Sequence, residues 1–325
     1  MPQLPGPRDR RLRTVREPAL LCLLIVVVAA ATTSLSESVQ RQVTADMVFL
    51  IAAVGLYMFT GLSGILSFGH MSFAAIGGYG AAILVINPET KAVILPDLPG
   101  GLGSLFMDPI SATVVAGLLG AAFAALIGVA LMRAPGMAAT LASFAMLVIV
   151  NSVAINWRGL TGGSQGMVSV PMTTTVWTVV MWACAAVVVA ALLQRSRWGL
   201  RLIASREDEA AARSVGIGVS LERWIAWTVS AFFTGVSGAL YAQLVGSFTP
   251  GVFYLDVTFL VIVMLVIGGR TSLSGAVVGA FVISFAGIAL RRAEEGFDVL
   301  AWSIGPTHGL RAIGLGLIML AVLLK

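Results

Sequence analysis

The stretch RDRRLRTVREPALLCLLIVVVAAATTSL (Arg8–Leu35) sets a strongly basic head in front of an unbroken apolar run. From Ala19 to Leu35 the run approaches the roughly 20 residues that carry a helix across a bilayer. A basic head with a short apolar stretch also fits a cleaved signal peptide. The rest of the chain decides between them, because similar runs keep returning. The 325 residues are 58% hydrophobic and 11% charged, with a mean hydropathy of +0.97. Soluble domains carry roughly 25% charged residues, so a water-exposed globule is excluded. The runs are continuous and do not alternate in short pieces, which excludes a β-barrel. The fold class is therefore all-α, a polytopic transmembrane helical bundle with room for about 8–10 spans. The 36 glycines suit closely packed membrane helices.

Spans are expected near 19–35, 46–62, 65–86, 110–132, 136–156, 174–194, 222–245, 256–269, 273–290 and 308–324. Residues 1–18 read as a basic cytoplasmic tail, and 19–325 as one membrane domain with a cytoplasmic loop over 195–221. With the first residue inside, all 20 Lys and Arg residues except Arg41, Lys91, Arg158, Arg291, Arg292 and Arg311 fall on the cytoplasmic side. This placement also explains the net charge of +5 without a nucleic-acid partner. Cys22 and Cys184 lie in apolar runs, and His70 and His308 lie far apart. Neither a disulfide, a metal site nor a catalytic constellation is expected.

Two spans read as broken. GLSGILSFGHMSFAAIGGYG (Gly61–Gly80) carries six glycines, and LVIGGRTSLSGAVVGA (Leu265–Ala280) breaks at Gly268-Gly269. Broken helices at membrane depth either line a cavity or are buried in protein. Gly69, His70, Ser72, Gly77 and Gly78 are the candidate translocation path, polar residues in a span tending to face the bundle interior. Close helix packing, with His70 bonded to a neighbour, explains the same residues. Loop Asn87–Pro109 reads as an ordered cap or a linker. Thr161–Gly166 and Phe248–Asp256 are expected to face outward.

In the cytoplasmic loop, SREDEAAARSVGI (Ser205–Ile217) is the densest mixture of charge in the chain. Ser205 is expected to N-cap a helix of about ten residues, with Asp208 at its third position. Glu207, Asp208 and Glu209 crowd the first turn, Glu209 and Arg213 pair at i, i+4, and Gly216 closes the end. The thin face of Ala210, Ala211 and Ala212 suits docking into a groove. A solvated surface helix would look the same.

An Ala-Ala pair followed by glycine in a late cytoplasmic loop resembles the EAA loop of bacterial ABC importers. The register departs by one residue, since Glu209-Ala210-Ala211 stands too far from Gly216. GLSGILSFGHMSFAAIGGYGAAIL, RAPGMAATLASFAMLVI, WRGLTGGSQGM, RSRWGLRLIASREDEAAARSVGIGV and SAFFTGVSGALYAQLVGSFTPGVF occur in order. Together these motifs resemble the permease subunits of branched-chain amino acid ABC transporters, the LivM-like half. The resemblance implies a multi-pass subunit of the bacterial inner membrane, with no enzyme activity of its own. It also implies two ATP-binding cassette subunits, a second permease as heterodimer partner and a periplasmic substrate-binding protein. No G-x-x-x-x-G-K-[ST] occurs, so ATP is expected on partner subunits and no cofactor in this chain. Arg206, Glu207, Asp208, Glu209, Ala210, Ala211, Ala212, Arg213 and Gly216 are then the contact with the ATPase. An ion-coupled transporter of a small solute stays open, as does a permease of this family for urea or short amides. Ion coupling would want intramembrane carboxylates, yet Asp46, Asp108, Asp256 and Asp298 all fall near span ends or in outer loops.

Overall fold

The computed structural model describes residues 7–294 together with 297–299, 302–304, 314, 316, 317 and 320. Its helices are α1 (Pro7–Thr32), α2 (Glu37–Leu56), α3 (His70–Val85), α4 (Pro88–Ile94), α5 (Pro109–Leu131), α6 (Gly136–Asn156) and α7 (Arg158–Thr161). They continue as α8 (Val176–Arg195), α9 (Arg197–Glu207), α10 (Glu209–Ser214), α11 (Val219–Val245), α12 (Leu255–Gly268) and α13 (Leu273–Glu294). A short antiparallel hairpin, β1 (Phe297–Val299) with β2 (Trp302–Ile304), follows. Seven segments among the described residues are long and apolar enough to cross a bilayer, and α3 with α4, bent by 120°, forms a further broken span or re-entrant loop. The basic head and first apolar run form one helix, α1, of 26 residues. The expected span 308–324 lies outside the described residues apart from the four positions named.

The chain is an all-α membrane bundle built around α2. Of the candidate spans α2 is the most enclosed, 94% buried along its apolar window with the π-turn Tyr57–Gly61 that extends it. α11, α13, α8 and α12 surround it, and α1 leans on α8. α3 is wedged between α11 and α5. α6 is far less covered, 28% buried.

Asp46 lies in α2, one turn beyond its polar start, and is buried with Gln42 Nε2 donating to its Oδ1 at 3.3 Å. The amphiphilic start of α2 (Glu37–Gln42) extends the helix beyond the apolar run that marks it in sequence. Asp108 caps α5 by accepting from the backbone N–H of Ile110 and Ser111. The Ser111 hydroxyl donates to it at 2.7 Å, and these bonds hold its carboxyl below the usual range. Asp256 stands in the first turn of α12, and the side chain of Asp298 lies outside the described residues.

The break expected in Gly61–Gly80 is present. α3 has 16 residues, about 24 Å of helix against a hydrocarbon core near 30 Å. Non-helical chain from Gly64 to Gly69 precedes it. Such backbone survives inside a bundle only if its polar groups find partners. They do so on α6, where Ser143 Oγ accepts from Phe68 N at 3.2 Å and Thr140 Oγ1 donates to Leu66 O at 2.8 Å. The Gly268-Gly269 break is a turn between spans, with α12 ending at Gly268 and α13 starting at Leu273.

The stretch 87–109 is an ordered cap. Buried Lys91 of α4 donates from Nζ to the carbonyls of Leu102 and Leu105. At the same end, the extended chain after Gly166 pairs with the turn after α11. Met167 and Phe248 exchange backbone bonds of 2.9 and 3.0 Å, and Val170 N donates to Gly246 O. The two stretches expected to share one face are thus joined.

Candidate functional site

The loop between α8 and α11 folds as two helices, not one. Ser196 caps α9, its Oγ accepting from Gly199 N at 3.1 Å. The helix then runs past the expected cap: Ser205 is buried inside α9, its Oγ turned back onto Leu202 O at 2.7 Å. The chain turns extended at Asp208 (φ −150°, ψ 106°), whose Oδ1 accepts from Ala211 N at 2.9 Å and caps α10. Asp208 is therefore the cap, and not the third residue of a helix capped by Ser205. The reason is packing: Leu202 and Ser205 form the buried face of α9, which holds the helix through Arg206 and Glu207. Asp208 then stands in front of Glu209-Ala210-Ala211-Ala212, where a cap is worth most. Gly216 ends α10 at φ +83°, with Gly216 N donating to Arg213 O and Ile217 N to Ala212 O. This is a Schellman closure, which needs a left-handed residue at that position.

Ion pairs fasten α10 to the bundle. Glu209 Oε2 accepts from Arg223 Nη2 of α11 at 2.7 Å, and Oε1 from Arg213 at 2.5 Å. The Arg223 side chain is 5% exposed and that of Glu209 35%. Arg223 first, and then Arg213, holds the Glu209 carboxyl below the ordinary glutamate range, against an opposing contribution from burial. A second tie runs from Arg201 of α9 to buried Glu222 at 3.2 Å. Ala212 faces inward, whereas Ala210, Ala211, Ser214 and Val215 are exposed, Val215 at 76%. Arg206, expected among the outward contacts, folds inward instead. Its Nη1 donates to Gly61 O at 2.8 Å, and its side chain is 22% exposed. Beneath lies a polar cavity of about 460 Å³ between Thr60, Ser63, Arg206, Glu209, Arg223 and Arg270.

The candidate path residues lie inside helix packing. His70 bonds Ser67 Oγ at 2.8 Å and Ser230 Oγ of α11 at 2.9 Å, with Trp227, Phe59 and Phe73 around its ring. Ser72 is fully buried. A Cβ at Gly69 would press on the Ser143 carbonyl, one at Gly77 on the Gly235 carbonyl and one at Gly78 on Phe253. His70→Ala should therefore behave as a core deletion, lowering stability by about 3 kcal/mol through a cavity and the loss of two buried hydrogen bonds. The thermal midpoint in detergent reads this. Lost transport at an unchanged midpoint would return His70 to the path. Among the described residues no three His, Cys, Asp or Glu side chains converge as metal ligands.

Sequence reasoning missed Arg223, Glu222 and Gly61. The partners of Arg223 and Arg206 stand 14 and 145 residues away, and no local pattern marks the longer pairing.

A bundle of apolar spans around a buried central helix, with a short helix held out on one end by ion pairs, is the architecture of a polytopic membrane protein. Residues 39–323 match the family described as "Branched-chain amino acid transport system / permease component", and the chain belongs to it. It is 27% identical to "High-affinity branched-chain amino acid transport system permease protein LivM" of Escherichia coli (strain K12), covering 83% of this chain and 68% of that protein. The protein of the same description from Salmonella typhimurium matches with equal identity and coverage.

Proposed function

We propose that this chain is a permease subunit of a binding-protein-dependent ABC importer in a bacterial inner membrane. It forms the translocation path for branched-chain or related small amino acids together with a second permease, in a heterodimer. Two ATPase subunits in trans supply the energy, and a periplasmic protein delivers the substrate. The N-terminus, α9 and α10 lie on the cytoplasmic side, and α10 is the coupling helix. The observation that carries this reading is α10 itself. It presents Ala210, Ala211 and Val215 outward while Glu209 ties its base to Arg223, giving a thin apolar surface on a rigid mount. Asp208, Arg213 and Glu207 flank that surface and set its register in a groove. Gly69, His70, Ser72, Gly77 and Gly78 serve in this reading as the packed wall behind the path.

The test is cross-linking in a variant without Cys22 and Cys184, co-expressed with the ATPase subunits. Cysteines at Ala211 and Val215 are expected to cross-link to the ATPase, more strongly with ATP. A cysteine at Ala212, which is buried, is expected to stay silent. Even labelling of all three by water-soluble thiol reagents, with no cross-link, would leave α10 a solvated turn.

A further inference from the structure

We propose that Arg206 is the positioning residue that carries movement of the coupling segment into the central helix α2. The proposal rests on the reading that α10 docks on an ATPase. A force on α10 reaches α11 through the chain itself and through Glu209–Arg223. α2 packs along its sides on α11 and α8, but its Gly61 end is 145 residues from Arg206 in sequence. The guanidinium ties the coupling segment directly to that end.

The acceptor is free for a definite reason. In a continuing α-helix Ile65 N would donate to Gly61 O. Here the chain unwinds at Gly64, and Ile65 N is taken by Ser63 Oγ at 3.2 Å. Arg206 supplies the missing donor and brings positive charge to the carbonyl end of α2, where the helix dipole favours it. Its orientation is set on both sides. Nε and Nη2 grip Glu207 Oε1 at 3.1 and 2.7 Å, leaving Nη1 for Gly61. The stem lies across Gly64, φ +75°, where a Cβ would come within 2.6 Å of Arg206 Cγ. Gly61 has no room to retreat, a Cβ there standing 2.8 Å from the Arg270 carbonyl of the α12–α13 turn. A push delivered at Gly61 therefore enters the most enclosed span of the bundle at its free end.

The experiment uses the full transporter, with both permeases, the ATPases and the binding protein, reconstituted in liposomes. It compares amino acid moved per ATP hydrolysed in wild type, Arg206→Gln, Arg206→Lys and Gly64→Ala. Arg206→Gln should keep hydrolysis while transport per ATP falls about tenfold, equivalent to about 1.4 kcal/mol of lost coupling. Arg206→Lys, retaining a cationic donor without the fork, should recover part of the ratio. Gly64→Ala leaves the guanidinium in place but displaces its stem, and should uncouple as Arg206→Gln does. If Arg206→Gln fails to assemble, Arg206→Lys and Gly64→Ala carry the comparison. Uptake and hydrolysis falling together, at a constant ratio, would reduce Arg206 to a fastening and overturn the proposal. Absence of any ATPase cross-link to Ala211→Cys, in the background without Cys22 and Cys184 and with Arg206 intact, would strike the docking reading instead, and the proposal with it. A changed ratio with the cross-link intact is the result that supports it.

Discussion

Gly238→Leu is expected to leave no correctly folded protein in the membrane. A Cβ at Gly238 of α11 would fall on the carbonyl of Ala74 in α3, and one at Gly77 of α3 on the carbonyl of Gly235. The contact is backbone on backbone from both sides, so no side chain can swing away to make room. Extra methylenes in a packed core cost about 1–3 kcal/mol, and more where relaxation is blocked. A four-carbon side chain here must force α3 off α11 over its full length. Total stabilities are only about 5–15 kcal/mol, and this displacement consumes most of that. Size-exclusion profiles of a fluorescent fusion in mild detergent would read the result. A monodisperse peak at wild-type abundance would contradict it. Gly287→Ala is the control, since nothing lies within 4 Å of its Cβ position, and it should behave as wild type.

Glu209→Gln is expected to loosen α10 without unfolding the bundle. Arg223 is almost fully buried, and removing its carboxylate leaves a guanidinium short of its partner. The loss is about 2 kcal/mol of local anchoring, below the full value for a buried pair because Glu209 is partly in water. Hydrogen exchange of the Asp208–Val219 backbone should accelerate, and a cysteine at Ala212 should become reactive. The double variant Glu209→Gln, Arg223→Met should recover part of the protection, because it removes the stranded charge. Unchanged exchange in Glu209→Gln would mean that the ion pair does not hold the helix. The dependence on pH has a definite sign. The carboxyl titrates lower when folded than when free, so the anchoring is complete above the ordinary glutamate value, about 4.3. It is lost only as pH falls through the lower folded value. Protection factors, which divide out the intrinsic pH dependence of amide exchange, should therefore match at pH 7 and pH 5 and fall only in more acid conditions.

The spans were legible because a bilayer demands long apolar runs, and the break near Gly64 because glycine density argues against an unbroken helix. Gly216 was legible too, as one residue at the end of one short helix. Ser205 misled because Ser-x-x-Asp fits the start of a helix locally, and the burial of Leu202 and Ser205 that overrides it is tertiary. The start of α2 was not legible, because a helix can outrun its own apolar stretch. His70 carried two readings that only its partners separate, and Ser230 stands 160 residues away. For Arg206 the sequence supplied a charge near a membrane face. Its inward turn depends on a carbonyl left without a donor in another span, which no inspection of the loop would disclose.

The glycines between α3, α5 and α11 also bear on how the molecule deforms. Side chains act as short springs between helices, and at Gly77, Gly235 and Gly238 that compliant layer is missing. Gly120 brings α5 into the same stack, a Cβ there standing 3.1 Å from the Ala231 carbonyl. The three helices should therefore deform as a single stiff plate. α6, thinly covered and closely apposed to the plate at Gly69 and Ser143, is the compliant member. Distortion imposed anywhere on the plate will appear as displacement of α6, much as a load on a rigid door shows at its hinge.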